Sequence, residues 1–378
     1  YTTLWGFLQG RGEEPGRADV WVMFDNEEVG SSSRQGACGT LFADVLARVE
    51  ESLGLTREES IRARTNTLLL SADNGHATHP NHPEKSDPAN PVVMGGGVIG
   101  LELACAFAAY GTEITVVEMM PELMPREQKE AVRIVVNAMK KQGIALKTGA
   151  KMLRIEKNGG LLRAVYEIEG KEEYTDCEQV LMAAGRKTNL SGIDAEALGL
   201  ELDRKKCIVV DKYQHTSLPG VYAIGDVVGG YQLAHAAYAE GEAALADMLG
   251  EDKPYGTQPV PVCTYTIPCF ASVGLTTESA KDAGYEPVMG SFDYSANGMA
   301  LAEGASGSVF VIADTATTRT LGVTIVGENS SEMIAMATSA VADGLTTEQW
   351  EKMIVVHPSL CEMVREAALD AFGKSVHK

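Results

Sequence analysis

Apolar and polar positions alternate after residue 90 in a way that predicts a strand, a glycine turn, a helix and a second strand. Apolar residues 92–94 lead into Gly95, Gly97 and Gly100, which form a G-x-G-x-x-G pattern. Residues 101–111 continue as an apolar helix that ends at a glycine, and residues 113–117 form a short buried strand. This order predicts an α/β architecture.

The glycines and the acid that follows the second strand are the residue types that a dinucleotide site requires. Gly95 would make the tight turn, Gly97 would let the backbone approach a pyrophosphate, and Gly100 would let the helix pack on the strand. Glu118 closes the second strand 18 residues after Gly100. A carboxylate there accepts hydrogen bonds from ribose hydroxyls and repels a 2′-phosphate. A glycine triplet alone is often only a loop, but this one lies in register with its neighbours, so we predict NAD binding.

Two later apolar stretches run into glycine turns. Residues 180–189 predict a buried strand that enters a Gly-Arg turn at Gly185. Residues 220–230 predict another, ending at Gly225 and Asp226. An aspartate just after a strand is usually a helix cap or a loop residue. The alternative is a carboxylate that holds a ribityl or ribose hydroxyl.

Composition narrows the class of protein. The chain has 378 residues, 45% of them hydrophobic, and a net charge of −20. That charge argues against nucleic acid or an anionic membrane as a partner, and no apolar run is long enough to span a bilayer. The seven cysteines form no CxxC pair, so we expect reduced thiols in a cytoplasmic protein. Because the chain begins at Tyr1, we also expect a cut N-terminus.

Six motifs after residue 91 occur in the order of one enzyme family. They are GGGVIGLE, AAGRKTN, TSLPGVYAIGD, LAHAAYAEG, FASVGLT and VHPSLCE. From residue 92 to residue 378 the chain therefore resembles the pyridine nucleotide-disulfide oxidoreductases, and within them the dihydrolipoamide dehydrogenases. The resemblance implies a Rossmann-like NAD domain at 91–202, the second half of an FAD domain at 203–256 and an α+β dimer-interface domain at 257–378.

The same resemblance implies cofactor and partner contacts. Asp226 would bind the flavin chain, and Leu233, Ala234 and His235 would approach the flavin through their backbone. Gly185 would belong to the same cofactor-binding set. The family further implies a homodimer that acts on dihydrolipoamide or on a lipoyl-bearing protein.

The last motif would carry the acid–base chemistry. By resemblance, His357 shuttles a proton to the reacting dithiol, and Glu362 holds its imidazole in the useful tautomer. A lone histidine before proline is otherwise usually a turn residue. The family's His-Ala-His-Pro is here Val-Val-His-Pro, which keeps only the second histidine. We interpret Cys361 as a neighbour of this site and not as a redox cysteine.

One part of the family pattern has no counterpart among these residues. The family passes hydride from a dithiol through a Cys-x-x-x-x-Cys disulfide and FAD to NAD. That disulfide belongs to a first FAD-binding half, but before Gly95 the only cysteine is Cys38. We therefore expect an incomplete FAD site, an exposed apolar strand at residues 221–224 and no lipoamide reductase activity.

The first ninety residues have a different pattern. Residues 20–37 predict a strand that runs into adjacent acids, and residues 66–88 predict a second strand that ends at Asp73 before a His-rich loop. Such acids are usually solvated surface. DNEEVGS and SADNGHATHPN are similar, however, to motifs of aspartyl aminopeptidases, which are dinuclear zinc enzymes. Residues 1–97 resemble the middle of such an enzyme, which implies an α/β aminopeptidase-like fragment at 1–90. That resemblance implies Glu27 as general base, Glu28 and Asp73 as Zn ligands and His76 in the substrate pocket.

Three functions stay open at this point. The first is a flavoprotein oxidoreductase, and the second is a metal-dependent aminopeptidase that releases N-terminal acidic residues. The aminopeptidase family needs a further aspartate and two histidines without counterparts here, so we do not expect a stable dizinc site. The third is a non-catalytic NAD-binding chimera. We expect the change of family within residues 91–99, which both families share.

Overall fold

The structure is a computed structural model that describes residues 91–94, 97–190 and 193–377, and single positions between 47 and 59. The chain divides into two compact units, Tyr1–Lys85 and Ser86–Lys378. In the first unit, the Thr56 hydroxyl accepts the Glu59 N–H, and the Glu59 carboxylate accepts from Thr56 in return. This reciprocal pair is a helix N-cap. No helix of the described residues is long and apolar enough to cross a membrane.

The second unit contains twelve strands and nine α-helices among its described residues. The strands are β1 (Pro91–Met94), β2 (Thr115–Val117), β3 (Ala145–Lys147), β4 (Ala150–Asn158), β5 (Leu161–Ile168), β6 (Lys171–Cys177), β7 (Gln179–Met182), β8 (Val262–Thr264), β9 (Phe270–Gly274), β10 (Pro287–Asp293), β11 (Gly307–Asp314) and β12 (Thr320–Gly327). The helices are α1 (Val98–Ala109), α2 (Lys129–Lys141), α3 (Ala195–Leu198), α4 (Ala234–Met248), α5 (Thr277–Asp282), α6 (Gly298–Glu303), α7 (Ser330–Asp343), α8 (Thr347–Lys352) and α9 (Glu362–Asp370).

A parallel sheet with strand order β3-β2-β1-β7 carries the glycine turn. Helix α1 connects β1 to β2, and α2 lies between β2 and β3 along the chain. Leu101 and Ala104 of α1 are fully buried in one core with Val116 of β2. The predicted strand, helix and second strand are therefore confirmed, since parallel neighbours need such a helical crossover.

An antiparallel sheet of strands β4, β5 and β6 lies along the chain between β3 and β7 of the parallel sheet. Its inner side buries Tyr166 and Ala164. Its outer side carries cross-strand ion pairs, such as Arg163 with Asp176 at 2.7 Å. One apolar face and one charged face are typical of an antiparallel sheet that water reaches from one side.

The C-terminal part is built on a five-stranded antiparallel sheet with order β10-β11-β12-β9-β8. Helices α7 and α9 pack on it, and their common core includes Val311, Ile325, Ala337 and Met363. Near α9 the strand approaches the helix backbone closely, because a Cβ on Gly290 of β10 would overlap the carbonyl oxygen of Ala367.

The parallel sheet and the five-stranded sheet share a second core. Leu101 of α1 and Val116 of β2 lie in one buried cluster with Phe270, Phe310 and Val326 of the five-stranded sheet. Polar contacts cross the same boundary, since the Glu102 carboxylate accepts the Tyr265 N–H at 2.8 Å and Gln142 donates to the Ile267 carbonyl at 2.7 Å.

Two expected buried strands differ in the structure. Residues 221–224 form no strand, and their only β pairing is an isolated bridge between His215 and Tyr222. The expectation of a strand there was wrong, although Val221 and Ile224 do expose apolar surface. The other stretch forms β7 at residues 179–182, but as the edge of its sheet it is only half-buried, and Met182 is 66% exposed.

Candidate functional site

The glycine turn lies at the start of α1. Gly97 is the residue before the helix, in an extended conformation, and as a glycine it offers no side-chain cap to the N–H groups of the first turn. A Cβ on Gly97 would meet no atom within 4 Å, so the space above it is open. Gly100 is buried in the helix, whereas Gly95 lies outside the described residues. The N-terminus of a twelve-residue helix that no N-cap side chain satisfies is suited to a phosphate.

Glu118 lies at the same edge of the sheet, because β1 and β2 are parallel and Met94 pairs with Val117. Its backbone N–H donates to the Lys147 carbonyl at 2.8 Å. Its carboxylate oxygen Oε1 accepts the Met120 N–H at 2.7 Å. These bonds fix the carboxylate at the carboxyl end of β2. In dinucleotide-binding folds, the acid that binds the ribose hydroxyls stands at this end of the second strand.

Arg186, the residue after Gly185, connects the Gly-Arg turn to Asp226. Gly185 has a φ of 110°, a conformation that favours glycine. Arg186 follows it and places Nη1 2.7 Å from Oδ2 of Asp226, and its Nη2 donates to the Gln232 carbonyl at 2.9 Å. Both partners of the ion pair are about half-exposed. The guanidinium therefore connects the end of β7 to the turn that carries Asp226.

Asp226 belongs to a single 3₁₀ turn, Gly225–Val227. Gly225 has a φ of 76°, and its N–H donates to Oε2 of Glu240 on α4 at 2.6 Å. Glu240 is only 4% exposed, and this burial raises the pKa of its carboxyl group. The buried Glu240 on α4 therefore holds the Gly225–Val227 turn through the Gly225 N–H.

Leu233, Ala234 and His235 lie at the N-terminus of α4. Leu233 is the extended N-cap residue, and no side chain caps the N–H groups that follow it. Nε2 of His235 lies 2.8 Å from the Pro261 carbonyl. A carbonyl oxygen only accepts, so Nε2 carries a proton and ties α4 to the segment before β8.

His357 and Glu362 are in contact at the start of α9. Nδ1 of His357 lies 2.9 Å from Oε1 of Glu362, and the Ser359 N–H donates to Oε2 at 3.0 Å. Burial opposes ionisation of Glu362, but the bonds from Ser359 and His357 hold its pKa below the usual range. An ionised carboxylate only accepts, so Nδ1 carries the ring proton. Nε2 is the ring nitrogen that Glu362 does not contact, and the His357 side chain is 78% exposed.

Buried polar groups support this turn. Nδ2 of Asn297 donates to the Ser359 carbonyl at 3.0 Å, and its Oδ1 caps α6 by accepting the Ala300 N–H. The Ser359 hydroxyl donates to the Val356 carbonyl at 2.7 Å. Burial raises the pKa of the Cys361 thiol, which favours its protonated form.

The metal and general-base positions expected in the first ninety residues, Glu27, Glu28 and Asp73, lie outside the described residues, as do His76 and Cys38. Within the part of the chain that the structure describes, no three His, Cys, Asp or Glu side chains are grouped to hold a metal ion. The described cysteines are all free thiols.

Sequence reasoning did not identify Arg186, Glu240 or Asn297. Arg186 belongs to the AAGRKTN motif, where the sequence shows it next to Gly185. Its bond to Asp226 joins residues 40 positions apart, and the motif does not predict it. Glu240 stands in LAHAAYAEG as an ordinary helical glutamate. Only the folded turn shows that it is buried.

Two family descriptions match the chain. Residues 65–241 match "Pyridine nucleotide-disulphide oxidoreductase", and residues 260–368 match the dimerisation domain of the same family. The first range begins before β1 and therefore includes residues 65–90.

Curated relatives are dihydrolipoyl dehydrogenases. That of Thermus scotoductus is 37% identical over 297 residues, which cover 78% of this chain and 64% of the relative. That of Rhizobium etli is 38% identical over 291 residues, covering 76% and 60%. The chain thus spans less than two thirds of the length of these relatives.

Solved structures show the same fold. The HOCl-induced flavoprotein disulfide reductase RclA from Escherichia coli is 26% identical with a TM-score of 0.69, and the match covers 75% of this chain and 65% of that one. LpdA from Mycobacterium tuberculosis is 26% identical with a TM-score of 0.68, covering 74% and 61%.

Proposed function

The chain belongs to the pyridine nucleotide-disulphide oxidoreductase family through residues 65–241 and 260–368, and we propose that it functions as part of a dihydrolipoyl dehydrogenase. The family has an α/β flavoprotein fold with Rossmann-like and dimerisation domains. The observation that carries the proposal is the His357–Glu362 pair, in which an exposed imidazole is oriented by an ionised carboxylate.

The pair has the geometry of an acid–base catalyst. Glu362 keeps the proton on Nδ1, so Nε2 is free to accept the proton of a dihydrolipoamide thiol. The imidazolium that forms would be stabilised by the same carboxylate, which is already ionised because of its bonds to Ser359 and His357. Oxidation of a dithiol by NAD releases one proton, so in this direction Nε2 would pass its proton to solvent, and in the reverse direction it would return the proton to the thiol.

Residues of this chain suit both dinucleotides of the family. Gly95, Gly97, Gly100 and Glu118 would hold NAD, since the α1 N-terminus offers uncapped N–H groups and open space. The FAD contacts would be Gly185, Asp226, Leu233, Ala234 and His235. When bound, the flavin supplies hydride transfer to the nicotinamide.

We propose a homodimer in which His357 serves the flavin site of the partner. The segment before His357 exposes apolar side chains, with Ile354 98% and Val356 72% exposed. Apolar side chains so exposed beside a catalytic histidine suit a surface that a second copy covers. The domain division at residues 91–202, 203–256 and 257–378 is part of this proposal.

The dithiol chemistry also needs a redox disulfide. The 378 residues contain no Cys-x-x-x-x-Cys segment, so we predict that this chain alone does not turn over dihydrolipoamide. Steady NADH formation from dihydrolipoamide and NAD by the purified chain would contradict that prediction.

Two alternatives have their own tests. An aminopeptidase would rest on Glu27, Glu28 and Asp73, and zinc-dependent release of N-terminal Asp or Glu would support it. A non-catalytic NAD-binding chimera, with its join within residues 91–99, would bind NAD but no flavin.

Titration calorimetry with NAD and with FAD tests the proposal. We expect NAD to bind the wild type and E118A to bind it about tenfold more weakly, because a charge-assisted bond to the ribose is lost. The exposed Glu113 on the same connection provides the control E113A, which should bind NAD like the wild type. If the chain binds neither NAD nor FAD, the assignment to this family of dinucleotide-binding enzymes is refuted.

A further inference from the structure

Glu240 is a carboxylate that the fold buries next to the expected flavin-chain ligand. It lies on α4, is 4% exposed, and its Oε2 accepts the Gly225 N–H at 2.6 Å. Asp226 is the next residue after Gly225. A buried carboxylate costs free energy unless hydrogen bonds satisfy it, and this one places its short bond on the peptide that sets the direction of Asp226.

The face of α4 around Glu240 is shaped for that turn. Ala237 and Gly241 share this helix face with Glu240, and neither carries a side chain larger than a methyl group. A Cβ on Gly225 would lie 3.6 Å from the Ala237 Cβ, and a Cβ on Gly241 would lie 3.4 Å from Cδ1 of Ile224. The helix therefore lies beside the turn at a distance where an added methyl group would make ordinary van der Waals contact, and the Glu240 carboxyl group accepts the Gly225 N–H there.

We propose that Glu240 is a positioning residue, which holds the Gly225 peptide so that the Asp226 carboxylate is presented to a hydroxyl of a bound polyol chain. The inference rests on the proposed function only in naming that chain as the ribityl chain of a flavin. Glu240 itself does not touch the ligand. Its action is through the backbone of the turn, which Gly225 alone, with its φ of 76°, would leave free to change.

Arg186 contributes from the other side of the turn. Its ion pair with Asp226 and its bond to the Gln232 carbonyl limit where the carboxylate can move. The pair is half-exposed, so solvent screens it. The buried bond from Gly225 to Glu240 is not screened in this way, and we assign the main positioning role to it.

Hydrogen exchange of the unliganded chain tests the positioning directly. The Gly225 amide, followed by NMR, should exchange about tenfold faster in E240L, which offers no acceptor. E240Q keeps one acceptor oxygen and should stay within about threefold of the wild type. The control is E242L, because Glu242 is exposed on the same helix and pairs only outward with Lys253 at 2.6 Å. Amides of β11 serve as the reference for global opening.

The outcome is decided by the difference between these variants. If E240L leaves Gly225 exchange unchanged relative to β11, Glu240 does not hold the turn and the inference is wrong. If E240L does not fold, E240Q still decides. In a D226N background, which removes the neighbouring carboxyl group, the Gly225 amide proton shift should still titrate because of Glu240 and should stay constant when E240Q is added. A titration that persists in the double variant would equally overturn the inference.

Flavin binding separates this inference from the proposed function. If the wild type quenches FAD fluorescence, E240L should bind FAD about tenfold more weakly, and E240Q should bind like the wild type. Equal affinity of E240L and wild type would refute the positioning role while the flavin assignment stands. If the wild type binds no FAD, the flavin assignment fails, and Gly225 exchange still decides whether Glu240 holds the turn.

Discussion

Nδ1 of His357 lies 2.9 Å from Oε1 of Glu362, and the other oxygen of this carboxylate accepts the Ser359 N–H at 3.0 Å. One acid thus fixes both the imidazole and the turn that carries it. Because Glu362 contacts Nδ1, the ring nitrogen left to accept a proton is Nε2. Glu362, five positions further along the chain, therefore determines the proton-accepting atom of His357.

Removal of this acid should change the tautomer of His357. In the wild type at high pH we expect the Nδ1–H form, and E362A should shift the ring toward the Nε2–H form that free imidazoles prefer. Nitrogen-15 NMR of the histidine ring measures this directly. E348Q, which alters an exposed pair with Lys352, should leave the His357 signals unchanged. An unchanged tautomer in E362A would mean that Glu362 does not orient the ring.

Glu366 should stabilise the C-terminal tail. Its Oε2 accepts from the Ser375 hydroxyl at 2.7 Å and from the Val376 N–H at 2.9 Å. Although burial opposes ionisation, these bonds lower the pKa of Glu366. E366A should reduce the free energy of unfolding by about 2 kcal/mol, measured in urea at pH 7. The exposed Glu303 provides the control E303A, with little expected change.

The pH dependence of that effect has a definite sign. Because the folded-state pKa is lowered, the contribution of Glu366 is complete above its ordinary value of 4.5 and is lost as pH falls through the lowered value. The difference between wild type and E366A should therefore shrink on acidification. A difference that grows toward low pH would contradict the assignment.

His215 should titrate above its ordinary range. Its Nδ1 lies 3.0 Å from Asp211 and its Nε2 lies 2.8 Å from Asp247, while the Tyr222 ring lies beside it. The bond to Asp211 is the largest cause that raises the pKa of His215. NMR titration should give a midpoint above 6.5 in the wild type and a lower one in D211N. The stabilisation should be complete below the unfolded value and lost as pH rises through the raised one.

Replacement of Gly290 by alanine should displace α9. The new Cβ would overlap the Ala367 carbonyl and the Ala371 N–H, which belong to backbone and cannot rotate away. G290A should lower the free energy of unfolding by about 3 kcal/mol. G298A has no atom within 4 Å of the new Cβ and is the matched control. Equal stability of the two variants would show that α9 does not pack against β10 as described.

Trypsin should release one peptide that spans residues 86–126, since this stretch has no lysine or arginine before its last residue. Mass spectrometry of the purified protein should detect it. Its detection would establish that the residues before and after the segment 91–99, where we expect the change of family, belong to one continuous chain. Peptides that depart from the present sequence in its place would refute that continuity.

The sequence predicts those parts of the fold and of the candidate site that depend on local patterns. The unit from β1 to Glu118 follows from glycine spacing and apolar periodicity, both of which act within one turn or one strand. Residues 221–224 have the same apolar character, yet they form no strand. A strand depends on a partner to pair with, and apolar periodicity carries no information about that partner. Glu240 and Arg186 escape prediction for a similar reason, because their bonds join residues 15 and 40 positions apart.

The buried cluster that joins Leu101 and Val116 to Phe270, Phe310 and Val326 has a consequence for folding cooperativity. Neither sheet can lose its order without exposing the apolar side chains of the other, so both should unfold in one transition at one denaturant concentration. The distance between the glycine turn and the His357 pair is then set when the chain folds.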